Sequence, residues 1–193
     1  MTAAKWVGLV VVFLAFGGLV LSQAMAAAPK EDKAKPKVEL KVGEAAPDFS
    51  MPGSDGKTYK LSDFKGKQAV VVAWFPKAFT GGCTTECKSL AANGEKIRKF
   101  DVAYFMASVD AIEGEKGNKA FAKSEKADFP MLSDETKATA AAYGVLNPRG
   151  FTNRWTFYID KDGKIAAIDK AVKPATSAED MVAKLKELKV PQR

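Results

Sequence analysis

The chain of 193 residues has no histidine and only two cysteines. Without histidine, Ser-His and Cys-His nucleophile pairs are excluded, along with the commonest metal ligand sets. Two thiols cannot complete a four-ligand zinc site, so neither a metal nor a cofactor is expected. The C-x-x-C spacing of thiol–disulfide oxidoreductases is also missing, because three residues separate Cys83 from Cys87. A clustered basic and aromatic patch is lacking as well. The 30 basic residues outnumber the 23 acidic ones, but the lysines are scattered, which reads as a solvated surface with no nucleic-acid partner. What remains for chemistry is thiol, hydroxyl, carboxylate and guanidinium.

What is present falls into three parts. Residues 1–28 read as a leader, in which Lys5 precedes an uncharged apolar run from Trp6 to Leu21 and Ala24-Met25-Ala26 offers an A-x-A cleavage pattern. The run is short for a span of about 20 residues. A cleaved signal peptide is expected, with a retained N-terminal membrane anchor as the alternative. Either way the domain is exported, to a periplasmic or extracellular space where disulfides persist. Residues 29–37, "PKEDKAKPK", lack apolar periodicity and read as a charged linker. Residues 38–190 are long enough for one domain with its own core.

Within that domain, Asp55-Gly56 marks the turn of an N-terminal β-hairpin. "QAVVVAWF" (Gln68 to Phe75) and "DVAYFMASVD" (Asp101 to Asp110) are unbroken apolar runs, as expected for strands buried on both faces. Thr84 to Phe100 can be helical between them, so the unit reads as strand, helix, parallel strand. Further helices are expected over 118–126 and 136–143. "RWTFYID" and "KIAAIDK" flank Asp162-Gly163 as a closing antiparallel hairpin. A last helix opens at Ser177 with Asp180 three residues on, a capping-box spacing. The fold class is α/β, a central mixed sheet with helices on both faces.

The first long strand runs through "PKAFTGG" into a helix expected to open at Cys83. The carboxyl end of a central strand is where ligand crevices form. A thiol at a helix N-terminus faces unpaired N–H groups and the positive end of the dipole, which favour thiolate. Gly81 and Gly82 leave the backbone bare for close approach of a small substrate. Cys83 therefore reads as reactive. A structural Cys83–Cys87 staple, or two small buried hydrophobes, is the plainer alternative, although so small a loop would gain little from closure.

Pro76-x-x-x-Thr80-x-x-Cys83 resembles the active-site motif of the peroxiredoxins, and "GCTTE" is similar to the bacterioferritin-comigratory branch of that family. "VGEAAPDF" from Val42, "FPMLSD" from Phe129, "YGV" from Tyr143 and "RWTFYIDKDGK" from Arg154 extend the likeness over about Val38 to Leu188. The resemblance implies a thioredoxin-like fold and a thiol-dependent peroxidase acting on hydrogen peroxide or organic hydroperoxides, in antioxidant defence and redox homeostasis. It makes Cys83 the peroxidatic cysteine. Thr80 would hydrogen-bond to thiolate and peroxide, Arg154 would stabilise the thiolate and the departing oxygen, and Pro76 would shape and shield the loop. Arg149 is the competing arginine. Cys87 would resolve the oxidised Cys83, but it lies four positions after Cys83, whereas the branch usually places a same-helix resolver five positions on. The family often has a proline just before the cysteine, or one residue earlier, where this chain has Gly81-Gly82. A thioredoxin-like or low-molecular-weight thiol would be the reductant, and a monomer or weak homodimer the assembly. The membrane would be a partner only with the leader retained. An exported thiol–disulfide oxidoreductase and a non-catalytic redoxin-fold binding module are the other readings of the same residues.

Overall fold

The structure is a computed structural model that describes residues 39–193. The leader, the linker and Val38 lie outside the described residues. Among the described residues no helix is long and apolar enough to cross a membrane.

Among the described residues there are two sheets. β1 (Ser50–Pro52) and β2 (Thr58–Lys60) form the expected hairpin around Asp55-Gly56, with Met51 opposite Tyr59. Gly56 takes a positive φ of 83°, which is why the turn carries a glycine. The five-stranded sheet has the order β5-β4-β3-β6-β7. Its centre is β3 (Ala69–Trp74), all six residues of which are buried, as its unbroken apolar run requires. β4 (Val102–Ser108) lies parallel to it, as a strand–helix–strand unit dictates. On the other side β6 (Trp155–Ile159) runs antiparallel, with Trp74 opposite Trp155. β7 (Ile165–Asp169) completes the closing hairpin. β5 (Met131–Ser133) is a three-residue edge strand, too short to announce itself by periodicity.

Alternate residues of β3 face opposite ways and seed two cores. Val71, Ala73 and Phe75 pack with helices α1 (Gly81–Ala92), α2 (Gly94–Arg98), α3 (Asn118–Ser124) and α5 (Ser177–Glu187). Val70, Val72 and Trp74 pack with the hairpin and with α4 (Ala138–Ala142). Helices therefore cover both faces.

α3 and α4 are shorter than the expected 118–126 and 136–143, and the helix that carries Cys83 also differs from expectation. The first helix opens at Gly81, so Cys83 is its third residue and not its first. The expected helix over 84–100 breaks at Asn93, where the side-chain amide donates to Ser89 O at 3.0 Å and takes the acceptor the helical backbone would use. Helix α5 opens at Ser177 as expected, but its capping residue is Thr176, whose hydroxyl donates to Asp180 Oδ2 at 2.8 Å.

Leu90, fully buried on α1, is the anchor of that helix against the sheet. Leu90→Ala should lower unfolding stability by about 2–5 kcal/mol. Val42→Ala, at a 64% exposed position, should stay within about 0.5 kcal/mol. Urea denaturation of both variants checks this ranking.

Candidate active site

The loop from Phe75 to Thr80 leaves the carboxyl end of β3 and turns sharply into α1. Phe79 takes a positive φ of 61°, uncommon for a bulky residue, while its ring packs on Phe121 at 5.1 Å between centroids. Thr80 is the N-cap residue, with extended backbone, and its carbonyl accepts Thr84 N–H at 2.8 Å. Its hydroxyl donates to Lys77 O at 2.8 Å. It does not donate to the sulfur, so the Thr80 oxygen is left as an acceptor only. Pro76 is half-buried at the base of this loop.

Cys83 is fully buried and reduced, on the first turn of α1. Arg154 reaches it from the start of β6. The pairing of Trp155 with Trp74 places residue 154 just beyond the end of β3, beside the helix that follows it. Arg154 Nη2–H donates to Cys83 Sγ at 3.1 Å. A Cβ on Gly82 would sit 3.1 Å from the same Nη2, so the bare backbone is what lets the guanidinium lie this close to the helix. Gly81 has open space on that side, so its lack of a side chain is not demanded by packing. The structure thus brings Cys83 and Arg154 into contact. Arg149, exposed in a turn and capped by Asn147 Oδ1, takes no such place.

Sequence reading overlooked a third member, Glu86. It lies three residues after Cys83, on a neighbouring part of the helix surface, and is the only acidic residue between Trp74 and Leu90. That spacing was the signal that could have found it. The side chain is completely buried and its Oε2 accepts from Arg154 Nη1–H, while Oε1 has no partner. Burial pushes the Glu86 carboxyl up to about 7, against the pull of Arg154 in the other direction. Burial also works against the charge on Arg154, but Glu86 and Cys83 outweigh it and the guanidinium holds its proton more firmly. One arginine thus divides its donors between a buried carboxylate and a buried sulfur.

Cys87 is fully buried one turn further along α1, and reduced. Its thiol is pushed up to about 12, first by burial and then by Glu125 and Glu86. In this conformation it is a poor nucleophile. Among the described residues no cluster of His, Cys, Asp and Glu could hold a metal ion.

Because the Glu86 proton is held more tightly in the fold than in the unfolded chain, this group lowers stability as pH rises from about 4.5 to about 7. The difference in Tm, Glu86→Gln minus parent, should therefore become more positive between pH 5 and pH 8, by about 5 °C or more. Thermal unfolding of the two proteins across that range measures it.

Residues 42–168 match the family model described as AhpC/TSA family, well over half of the chain. Peroxiredoxin Bcp of Escherichia coli strain K12 is 38% identical over 133 residues, spanning 65% of this chain and 83% of that protein. Peroxiredoxin Bcp of Bacillus subtilis strain 168 is 31% identical over 156 residues, 77% of this chain and 97% of that one. Among solved structures, Peroxidoxin BcpB from Mycobacterium tuberculosis superposes with a TM-score of 0.68 at 27% identity, covering 77% of this chain and 98% of the other. With the fold, the matched span and these relatives in agreement, the chain belongs to the AhpC/TSA family, and its activity is that of a peroxiredoxin, a thiol-dependent peroxidase.

Proposed function

We propose that Cys83 is the peroxidatic cysteine, that Arg154, Thr80 and Pro76 assemble its site, and that Cys87 resolves it. The observation that carries this reading is the 3.1 Å contact between Arg154 Nη2 and Cys83 Sγ at the first turn of a helix. Cys83 thiolate attacks the terminal oxygen of ROOH. The O–O bond breaks, Cys83 becomes a sulfenic acid, and RO⁻ leaves and takes a proton to give the alcohol, or water when R is hydrogen. The guanidinium faces the line of that displacement, where negative charge passes from sulfur to the leaving oxygen.

In the second step Cys87 thiol attacks the Cys83 sulfenic acid, forming the disulfide and releasing water. Cβ atoms four apart on a helix are about 5–6 Å from each other, whereas a disulfide requires about 3.5–4.5 Å. The first turns of α1 must therefore open. Opening also returns Cys87 to water, reversing the burial that holds its thiol near 12. A dithiol of thioredoxin type then reduces the disulfide by exchange and restores both cysteines. The leader-like residues 1–28 support an exported enzyme, which the mass of the mature N-terminus tests.

Cys83→Ser should abolish peroxide turnover while preserving the fold, and surviving turnover overturns the assignment. Arg154→Met should slow Cys83 oxidation by about 100-fold, against less than about three-fold for Arg149→Met at its exposed turn. Stopped-flow measurement of both variants separates the two arginines. One equivalent of peroxide should remove two hydrogens from the intact protein, and amide exchange should quicken over residues 81–92. A stable sulfenic acid, or a cysteine-linked dimer, would show that Cys87 is no intramolecular resolver.

A further inference from the structure

A second buried polar cluster lies at the carboxyl ends of β4 and β5, around the start of α3. Asn118, fully buried at the start of α3, donates through Nδ2 to Leu132 O at 3.0 Å, Ser133 Oγ at 2.9 Å and Ser108 Oγ at 3.0 Å. Its two amide hydrogens are shared among these three acceptors. Ser108, also fully buried, accepts Asp110 N–H at 3.1 Å and lies 3.1 Å from Asp110 Oδ2. The Asp110 carboxylate, only 9% exposed, is thereby aimed away from its own strand at the loop that leaves β3. There Oδ2 accepts Ala78 N–H at 2.8 Å and Oδ1 pairs with Lys77 Nζ at 3.2 Å. Lys77 Nζ also lies 5.3 Å from the centre of the Phe151 ring.

The same loop has an internal cost to offset. Phe79 sits in the left-handed region, worth about 1–2 kcal/mol against it for a residue with a Cβ. The Thr80 hydroxyl can donate to Lys77 O only while residues 77–80 stay folded over in this way. The carboxylate grips residues 77 and 78, immediately before the strained residue, and Thr80 follows it.

We propose that Asp110 is a positioning residue for the peroxidase reaction. It holds the Pro76–Thr80 loop closed, so that the Thr80 hydroxyl proton is committed to the Lys77 carbonyl and the Thr80 oxygen accepts from the peroxide O–H. Asp110 itself touches neither sulfur nor substrate; it acts through Thr80. The proposal rests on Cys83 being the peroxidatic cysteine. With Asp110 removed, the loop gains freedom and the Thr80 hydroxyl can rotate to donate. The peroxide then loses its acceptor, while Cys83 and Arg154, held by α1 and β6, remain in contact.

The test compares two reactions of the same sulfur in the full-length protein. Oxidation by peroxide needs the Thr80 acceptor; alkylation by iodoacetamide must reach the same buried sulfur but makes no use of that acceptor. Asp110→Ala should lower the second-order rate with peroxide about 30-fold, and alkylation by less than about three-fold. Thr80→Val should lose a similar factor with peroxide, and the double variant little more than either alone, because one acts through the other. Asp110→Asn keeps the volume and an acceptor for Ala78 N–H but loses the pairing with Lys77. It should lose about five-fold with peroxide, and it carries the test if Asp110→Ala does not fold. Parental peroxide rates in the folded Asp110 variants, equal losses in the two reactions, or fully additive losses with Thr80→Val would each overturn the role of Asp110. Peroxide turnover that persists in Cys83→Ser would overturn the Cys83 assignment instead, a separate result.

Discussion

The arrangement around α1 depends on one guanidinium with two anionic or ionisable neighbours at a largely buried position. Arg154 is mostly buried and has Glu86 on one nitrogen and Cys83 on another. A buried arginine without a counter-ion would be strongly destabilising, and a buried glutamate without one equally so. Each makes the other admissible. The carboxylate anchors one side of the guanidinium fork, which leaves the other side aimed at sulfur. Fixed donors of this kind need no reorganisation when charge shifts, and for that reason they stabilise developing charge better than water does.

The same contact explains why a chain without histidine can host thiol chemistry. A histidine would supply a mobile proton and a charge that changes near neutrality. Here a permanent cation supplies the charge, and the group with a proton equilibrium near neutrality is Glu86, one bond network away from the sulfur. The sulfur that Arg154 touches and the group with a proton equilibrium near neutrality are thus different residues on one helix turn.

Much of this was legible in the sequence, and the limits have physical causes. The unbroken runs of β3 and β4 declared buried strands because every position had to be apolar, and Asp55-Gly56 and Asp162-Gly163 declared hairpins because few other residues take those turns. That Cys83 and Arg154 meet was expected from the motif and its distant partner. Glu86 and Asp110 were not, since a carboxylate is usually solvated and only the fold reveals which ones are surrounded. The break at Asn93 shows a local side-chain bond overriding helix propensity. β5 draws its identity from pairing with β4 across just three residues.

The position of Arg154 is a matter of strand register. β6 pairs with β3 so that Trp155 faces Trp74, and side chains alternate from one face of a sheet to the other at every step. A slip of one residue along β6 would carry the guanidinium to the opposite face, leaving Glu86 and Cys83 with no cation although every side chain in the sequence were unchanged. The chemistry is therefore protected by features that never touch it: the apolar residues of β6 that fit only one core, and the turn at Asp160–Gly163 that ties β6 to β7. Insertions and deletions within this hairpin are consequently more dangerous to the enzyme than many substitutions beside the sulfur, whereas length changes in the exposed turn at Asn147–Gly150, upstream of the pinned register, leave the pairing in place.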